Sequence, residues 1–250
     1  MRIFLAGATG VIGRRLAVLL RDARHDVTGT TRDPAKASRL RSLGITPAVV
    51  DAFDADAVVR ALASARPEVV IHQLTDLPSA PGTPGYAAGQ EANRRLRIEG
   101  TRNLVRAATL AGARRIIAQS IAFIYAPGES VRSETDQLDV TAEGTRQSTV
   151  QGIVALEGEV LQTPDIAGVV LRYGYFYGPD SWYATTPKPP SVHVDAAAHA
   201  ALLVVDKGIG IYNITDDDGA VSSARAAREL GFDPAFRLSK RLAQELPGSS

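Results

Sequence analysis

Short, almost purely apolar runs alternate along this chain with longer stretches whose apolar positions return every three or four residues. The run RIFLAG predicts a strand, and Val11 to Arg21 a helix with Val11, Leu16, Leu19 and Leu20 on its apolar face. DVTGTTR predicts the next strand, followed by a basic, Ala-rich helix through Ser42. Then come TPAVVD, a helix from about Asp54 to Ala65, and EVVIHQL. A Pro/Gly-rich loop, PSAPGTPGYAAG, leads into a long helix from about Gln90 to Ala111. RRIIAQS, a helix from about Gly144 to Gln162 and AGVVLRYG follow, and the last residues, PGSS, read as frayed.

Strands joined by helical crossovers pair in parallel, and strands without polar alternation are covered on both faces. The pattern therefore predicts an α/β protein with a doubly wound parallel sheet. Residues 1–170 carry the regular alternation. Residues 171–250 read as a reduced C-terminal substrate region packed on it, with late elements returning to the core.

Composition narrows the function classes. A hydrophobic share of 45% and a charged share of 22% are ordinary, and a net charge of +1 leaves no electrostatic footprint for nucleic acid. The absence of cysteine removes disulfides, thiolate metal sites and cysteine nucleophiles. His25, His72, His193 and His199 form no ligand set, and Asp216-Asp217-Asp218 lacks the later Glu of a calcium loop and reads as a solvated turn. No metal is expected. No apolar run reaches a membrane span and no signal peptide precedes the first strand, so the expectation is a cytoplasmic protein without a membrane partner.

At the first strand-to-helix turn the sequence is GATGVIG. Gly7 permits the tight turn, Gly10 lets a pyrophosphate approach the backbone, and Gly13 lets the helix pack on the strand. The helix start then offers free N–H groups to phosphate. The second strand ends in Thr30-Thr31-Arg32, with no acid before Asp33. A guanidinium there suits a ribose 2′-phosphate and favours NADP(H) over NAD(H). Asp51, closing the third strand, is placed to accept from an adenine amino group.

These pieces resemble the extended short-chain dehydrogenase/reductase family, the NAD(P)-dependent epimerases and dehydratases. The resemblance rests on Gly7-Ala8-Thr9-Gly10-Val11-Ile12-Gly13, VVIH at 69–72, GTRNLVRAA at 100–108, QSIAFIYAP at 119–127, LRYGYFYGP at 171–179, VHVDAAAHA at 192–200 and GIYNITDD at 210–217. It implies a Rossmann fold and a cofactor site that adds Thr9, Val11, Ile12, Ala52 and Leu74 to the residues above. It also implies a catalytic Ser or Thr, a Tyr and a Lys, in which the Lys lowers the Tyr pKa and the Tyr moves the substrate proton. In this chain the hydroxyl position falls on Ile121, the Tyr on Thr149 and the Lys on Ile153. No shift of register restores the pair, because no Tyr lies between Tyr125 and Tyr173 and no Lys between Lys36 and Lys188. The family's helical Asn aligns with Arg97, with Asn93 one turn earlier, and the substrate-covering insert is reduced to DSWYATTPKPPS.

Ser120 and Tyr125 remain as substitute catalytic groups. The pocket is read as apolar, from Ile121, Thr149, Ile153, Tyr173, Tyr175, Phe176 and Trp182, with Tyr183 beside them. His72 is expected to pack beside the cofactor. As in similar proteins, the helices at 90–111 and 144–162 are expected to pair across a homodimer. Three readings stay open: an NADP(H)-dependent oxidoreductase or epimerase-like enzyme of a small apolar substrate, a non-redox cyclase or isomerase of a secondary metabolite, and a cofactor-binding sensor or scaffold without turnover.

Overall fold

The computed structural model describes residues 1–77 and 82–246; the opening of the Pro/Gly loop and the PGSS terminus lie outside the described residues. Seven parallel strands form one sheet in the order β3-β2-β1-β4-β5-β6-β9: β1 (Arg2–Ala6), β2 (Asp26–Thr31), β3 (Thr46–Val49), β4 (Val69–His72), β5 (Arg115–Ile121), β6 (Ala167–Tyr173) and β9 (Gly210–Ile214). A separate pair joins β7 (Tyr175–Tyr177) to β8 (Ser191–His193), also in parallel. The order reverses direction between β1 and β4, and a crevice opens there beyond the carboxyl ends of the strands.

The helices are α1 (Val11–Asp22), α2 (Ala37–Ser42), α3 (Ala55–Ala65), α4 (Tyr86–Arg95), α5 (Thr101–Leu110), α6 (Gly144–Leu161), α7 (Val194–Leu203), α8 (Ala224–Leu230) and α9 (Lys240–Glu245). One face of the sheet packs on α1 and α7, and the other on α3, α5 and α6. Strand cores such as Val69-Val70-Ile71 and Val169-Val170-Leu171 are buried, as two-sided coverage demands. Among the described residues no helix is long and apolar enough to cross a membrane.

Three local details depart from the sequence pattern. The predicted long helix starts at Tyr86 and is two α segments joined by a π turn at Leu96–Gly100. Arg14 and Arg15 of α1 are buried although they are charged: Asp180 binds both, at 2.7 and 3.1 Å, and Asp195 binds Arg15 at 2.9 Å. These pairs tie α1 to the segment after β7 and to the start of α7. The acidic run is also more than a solvated turn. Asp218 accepts from the Ser191 backbone N–H at 3.0 Å and Asp216 from its hydroxyl at 3.2 Å, which fixes the start of β8.

Candidate active site

The glycine turn is specified by contacts that a side chain would destroy. Gly7 has φ +88°, and a Cβ there would lie 2.8 Å from the Gln73 backbone. A Cβ on Gly13 would lie 1.9 Å from the Gly7 carbonyl oxygen, so this glycine serves packing and lines neither cavity. Gly10 is different. A Cβ there would meet nothing nearer than Gly7 O at 3.4 Å, so what its missing side chain keeps clear is the crevice itself. The α1 N-terminus beside it has no side-chain cap and no acid in its first turn, leaving N–H groups and the positive dipole end for an anion. This cradle fits a dinucleotide pyrophosphate.

On one side of the cradle lies a cavity of about 300 Å³. Gly7, Thr9, Arg32, Asp51, Ala52 and Leu74 line it, together with Lys36, which the sequence reading passed over. The Arg32 side chain is 58% exposed and meets Asp76 at 3.3 Å, a weak surface pair that leaves the guanidinium able to turn. Asp33 holds its carboxylate on the Ala35 N–H at 2.9 Å, and Asp51 accepts from the Phe53 N–H at 3.0 Å.

On the other side lies a second cavity, of about 260 Å³, which meets the first at Gly10, Gln73 and Thr75. Val11 and Ile12 face this one. Ile121, Thr149, Tyr173, Tyr175, Phe176 and Trp182 line it as the sequence suggested, and Tyr86, Phe123 and Tyr183 add to its aromatic surface. Phe123 and Tyr175 stack with ring centres 4.0 Å apart and planes 4° from parallel. Gln119 also lines it. Its place two residues before Ile121 on a strand was the available signal.

The wall behind this cavity overturns three expectations. Ser120 alternates to the opposite face of β5, is fully buried, and donates to Glu157 at 2.7 Å. Glu157 in turn accepts from Arg172 at 2.9 and 2.6 Å. Tyr125 is buried, donates to Asn213 at 2.6 Å and accepts from Arg172 at 2.9 Å. Burial raises its phenol pKa. Both side chains therefore complete a buried network and do not reach the cavity. Ile153 is likewise buried with Ile121, Ile124 and Val150, one layer behind the lining.

Three polar groups near the junction draw a different picture. His72 accepts the Leu74 N–H on Nδ1 at 3.2 Å, which leaves its Nε2 proton for Thr101 Oγ1 at 3.0 Å. Burial, and then the charge of Arg97, lower its pKa to about 4. Gln73 has a buried Oε1 without a hydrogen-bond partner. Arg97, on the π turn, lines the cavity at 6% exposure with a buried Nη1 that has no partner. Burial lowers its pKa to about 10, and it remains a cation at neutral pH. Burial also raises the Tyr173 and Tyr175 phenols.

Comparison with known proteins places these features in company. The model of a family described as NAD(P)H-binding matches residues 7–171. A 3-diazoavenalumate denitrifying reductase from a Streptomyces species is 40% identical, over 99% of this chain and 88% of its own. MoeE5, solved with UDP-glucose and NAD, superposes with a TM-score of 0.74 at 18% identity, over 98% of this chain and 97% of that one. The UDP-glucose 4-epimerase of Thermotoga maritima, solved with UDP-glucose, gives 0.73 at 17% identity, over 98% and 97%. At such identities the two structures speak to the fold alone.

Proposed function

This chain belongs to the NAD(P)H-binding family, and from that premise we propose that it is an NADPH-dependent reductase of a small, planar substrate that accepts hydride without needing a proton relay. The carrying observation is the chemistry of the second cavity. Among the described residues no lysine lines it, and burial raises rather than lowers the pKa of Tyr173 and Tyr175. A carbonyl reduction needs an acid at the developing alkoxide, and the loss of that acid costs roughly 10²–10⁴-fold. When bound, the cofactor supplies a hydride, and the step R–N₂⁺ + H⁻ → R–H + N₂ balances with no proton to deliver. The diazo substrate and the loss of nitrogen in the relative's name match that step, and at 40% identity over 99% of the chain the same reaction class is the best-supported reading.

The residues would divide the work as follows. The α1 N-terminus and Gly10 hold the pyrophosphate, and Arg32 with Lys36 holds a 2′-phosphate. Asp51, Ala52 and Leu74 border the adenine. Ile121, Tyr173, Tyr175, Phe176 and Trp182 exclude water and give a flat substrate surfaces on which to lie. Positioning of this kind supplies much of the barrier reduction for a transfer between two bound partners. The exposed Leu110, Val154 and Leu161 on α5 and α6 support a homodimer across those helices, to be checked by sedimentation.

The test is single-turnover consumption of NADPH by the purified protein with an aryl diazonium carboxylate, with evolved N₂ followed by mass spectrometry. Stoichiometric N₂ supports the reading. Consumption of NADPH only with aldehydes or ketones would sink it.

A further inference from the structure

A buried cation with no partner is costly, because water has been removed and nothing has replaced it. Arg97 comes close to this case. Its Nη1 is buried and has no hydrogen-bond partner among the described residues, and the opposite charge it feels is the more distant field of Glu157. The nearby acid, Glu157, is already engaged, by Ser120 and by both sides of the Arg172 fork. The chain nevertheless holds Arg97 in place. A Cβ on Gly152 of α6 would come within 3.3 Å of the Arg97 Cδ, so the glycine leaves room for the arginine's stem. The π turn carries the residue at the cavity wall, and such turns are frequent at functional sites.

We infer that Arg97 is the anion anchor of this cavity, and that the substrate is a carboxylate whose flat apolar body lies among the aromatic side chains. The inference rests on the reductase reading above for the identity of the site, and it adds the charged group that an apolar pocket alone does not predict. A planar guanidinium matches a carboxylate in geometry as well as charge. One cation with an unsatisfied buried Nη1 fits a monoanion. The other charged group lining the cavity, Asp180, is paired with Arg14 and Arg15. Thr149 donates to Gln90 Oε1 at 2.9 Å, which leaves the Gln90 amide nitrogen as a second donor on the same wall. The substrate's carboxylate would thus sit at the π turn, with its reacting end towards Gly10 and Gln73, where the two cavities meet.

The experiment uses the full-length protein saturated with NADP⁺, with cinnamate and methyl cinnamate as probes and affinities from calorimetry. A charge-assisted pair in a buried site is worth enough that cinnamate should bind roughly 30-fold more tightly than its ester. Arg97→Met should bring cinnamate down to the ester's affinity, leave the ester unchanged, and not lower Tm, since an apolar side chain of similar length removes a desolvated charge. Arg97→Lys keeps the charge but not the fork and should retain a partial preference. An unchanged acid-to-ester ratio in Arg97→Met overturns the anchor. So does loss of both probes with a lowered Tm, or failure of cinnamate to bind the unmodified protein. The diazonium turnover assay is separate: an intact acid preference without N₂ release would refute the reaction and keep the anchor, and N₂ release without the preference would do the reverse.

Discussion

The two ends of the crevice are built by different means. At the dinucleotide end, shape comes from the backbone. Gly7 and Gly13 are demanded by distances of 2.8 and 1.9 Å to main-chain atoms, and Gly10 by the space it leaves. At the reaction end, shape comes from side chains, with isoleucines and aromatics in front and a paired network of Ser120, Glu157, Arg172 and Tyr125 behind. Backbone requirements tolerate few residue types, so the first end keeps its motif. Side-chain requirements can be met by exchanging one packed layer for another, so the second end can change its lining while the fold stands.

The largest effect should come from breaking the network behind the reaction end. Glu157→Ala leaves the Arg172 guanidinium buried without its carboxylate, which costs about 3–5 kcal/mol. Calorimetry should show Tm lower by roughly 10 °C. A shift of a degree or two would mean that the wall does not depend on this pair.

Acid should come next, through His72 at the base of the junction. Its pKa is near 6.5 when exposed and about 4 in the fold, so the fold prefers the neutral ring. The sign follows: this contribution is fully present above pH 6.5, is lost progressively as pH falls towards 4, and amounts to roughly 3 kcal/mol at most. His72→Asn should flatten urea-denaturation stability across that window. A slope unchanged by the substitution would assign the acid sensitivity elsewhere.

The dinucleotide end should answer to charge rather than packing. Arg32→Ala should weaken NADPH about 30-fold, close to 2 kcal/mol, and leave NADH nearly unchanged. Equal affinities for the two cofactors in the unmodified protein would remove the basis for the preference. The smallest effects on turnover belong to the buried hydroxyls. Ser120→Ala and Tyr125→Phe should change kcat less than about threefold while costing about 1 kcal/mol of stability each. A hundredfold loss of kcat without loss of Tm would return them to the chemistry.

Much of this contrast was legible in the chain itself. The apolar strand runs, the crossover helices and the glycine turn announce the sheet and its crevice, because each is a local property of consecutive residues. The absence of Tyr and Lys between positions 125 and 173 was equally plain. Ser120 and Tyr125 misled because their partners, Glu157, Arg172 and Asn213, are distant in sequence, and pairing decides whether a polar group is structure or site. Ile153 misled for a related reason: a position aligned with a catalytic lysine does not reveal that its own side chain lies one layer deeper. Arg97 was noticed only as a departure from a motif. Its significance depends on what fails to touch it, and a linear reading cannot show that.

β9 has a consequence for how the chain reaches this state. It covers the outer edge of β6, register Val169 to Tyr173 against Gly210 to Ile214, yet it is made only after β7, β8 and α7. A nascent or truncated chain ending near Val205 would present an apolar β6 with a bare ladder of amides and carbonyls, a template for pairing with another molecule. Fragments cut between β6 and β9 should therefore collect as aggregates, and fragments that include Ile214 should remain dispersed.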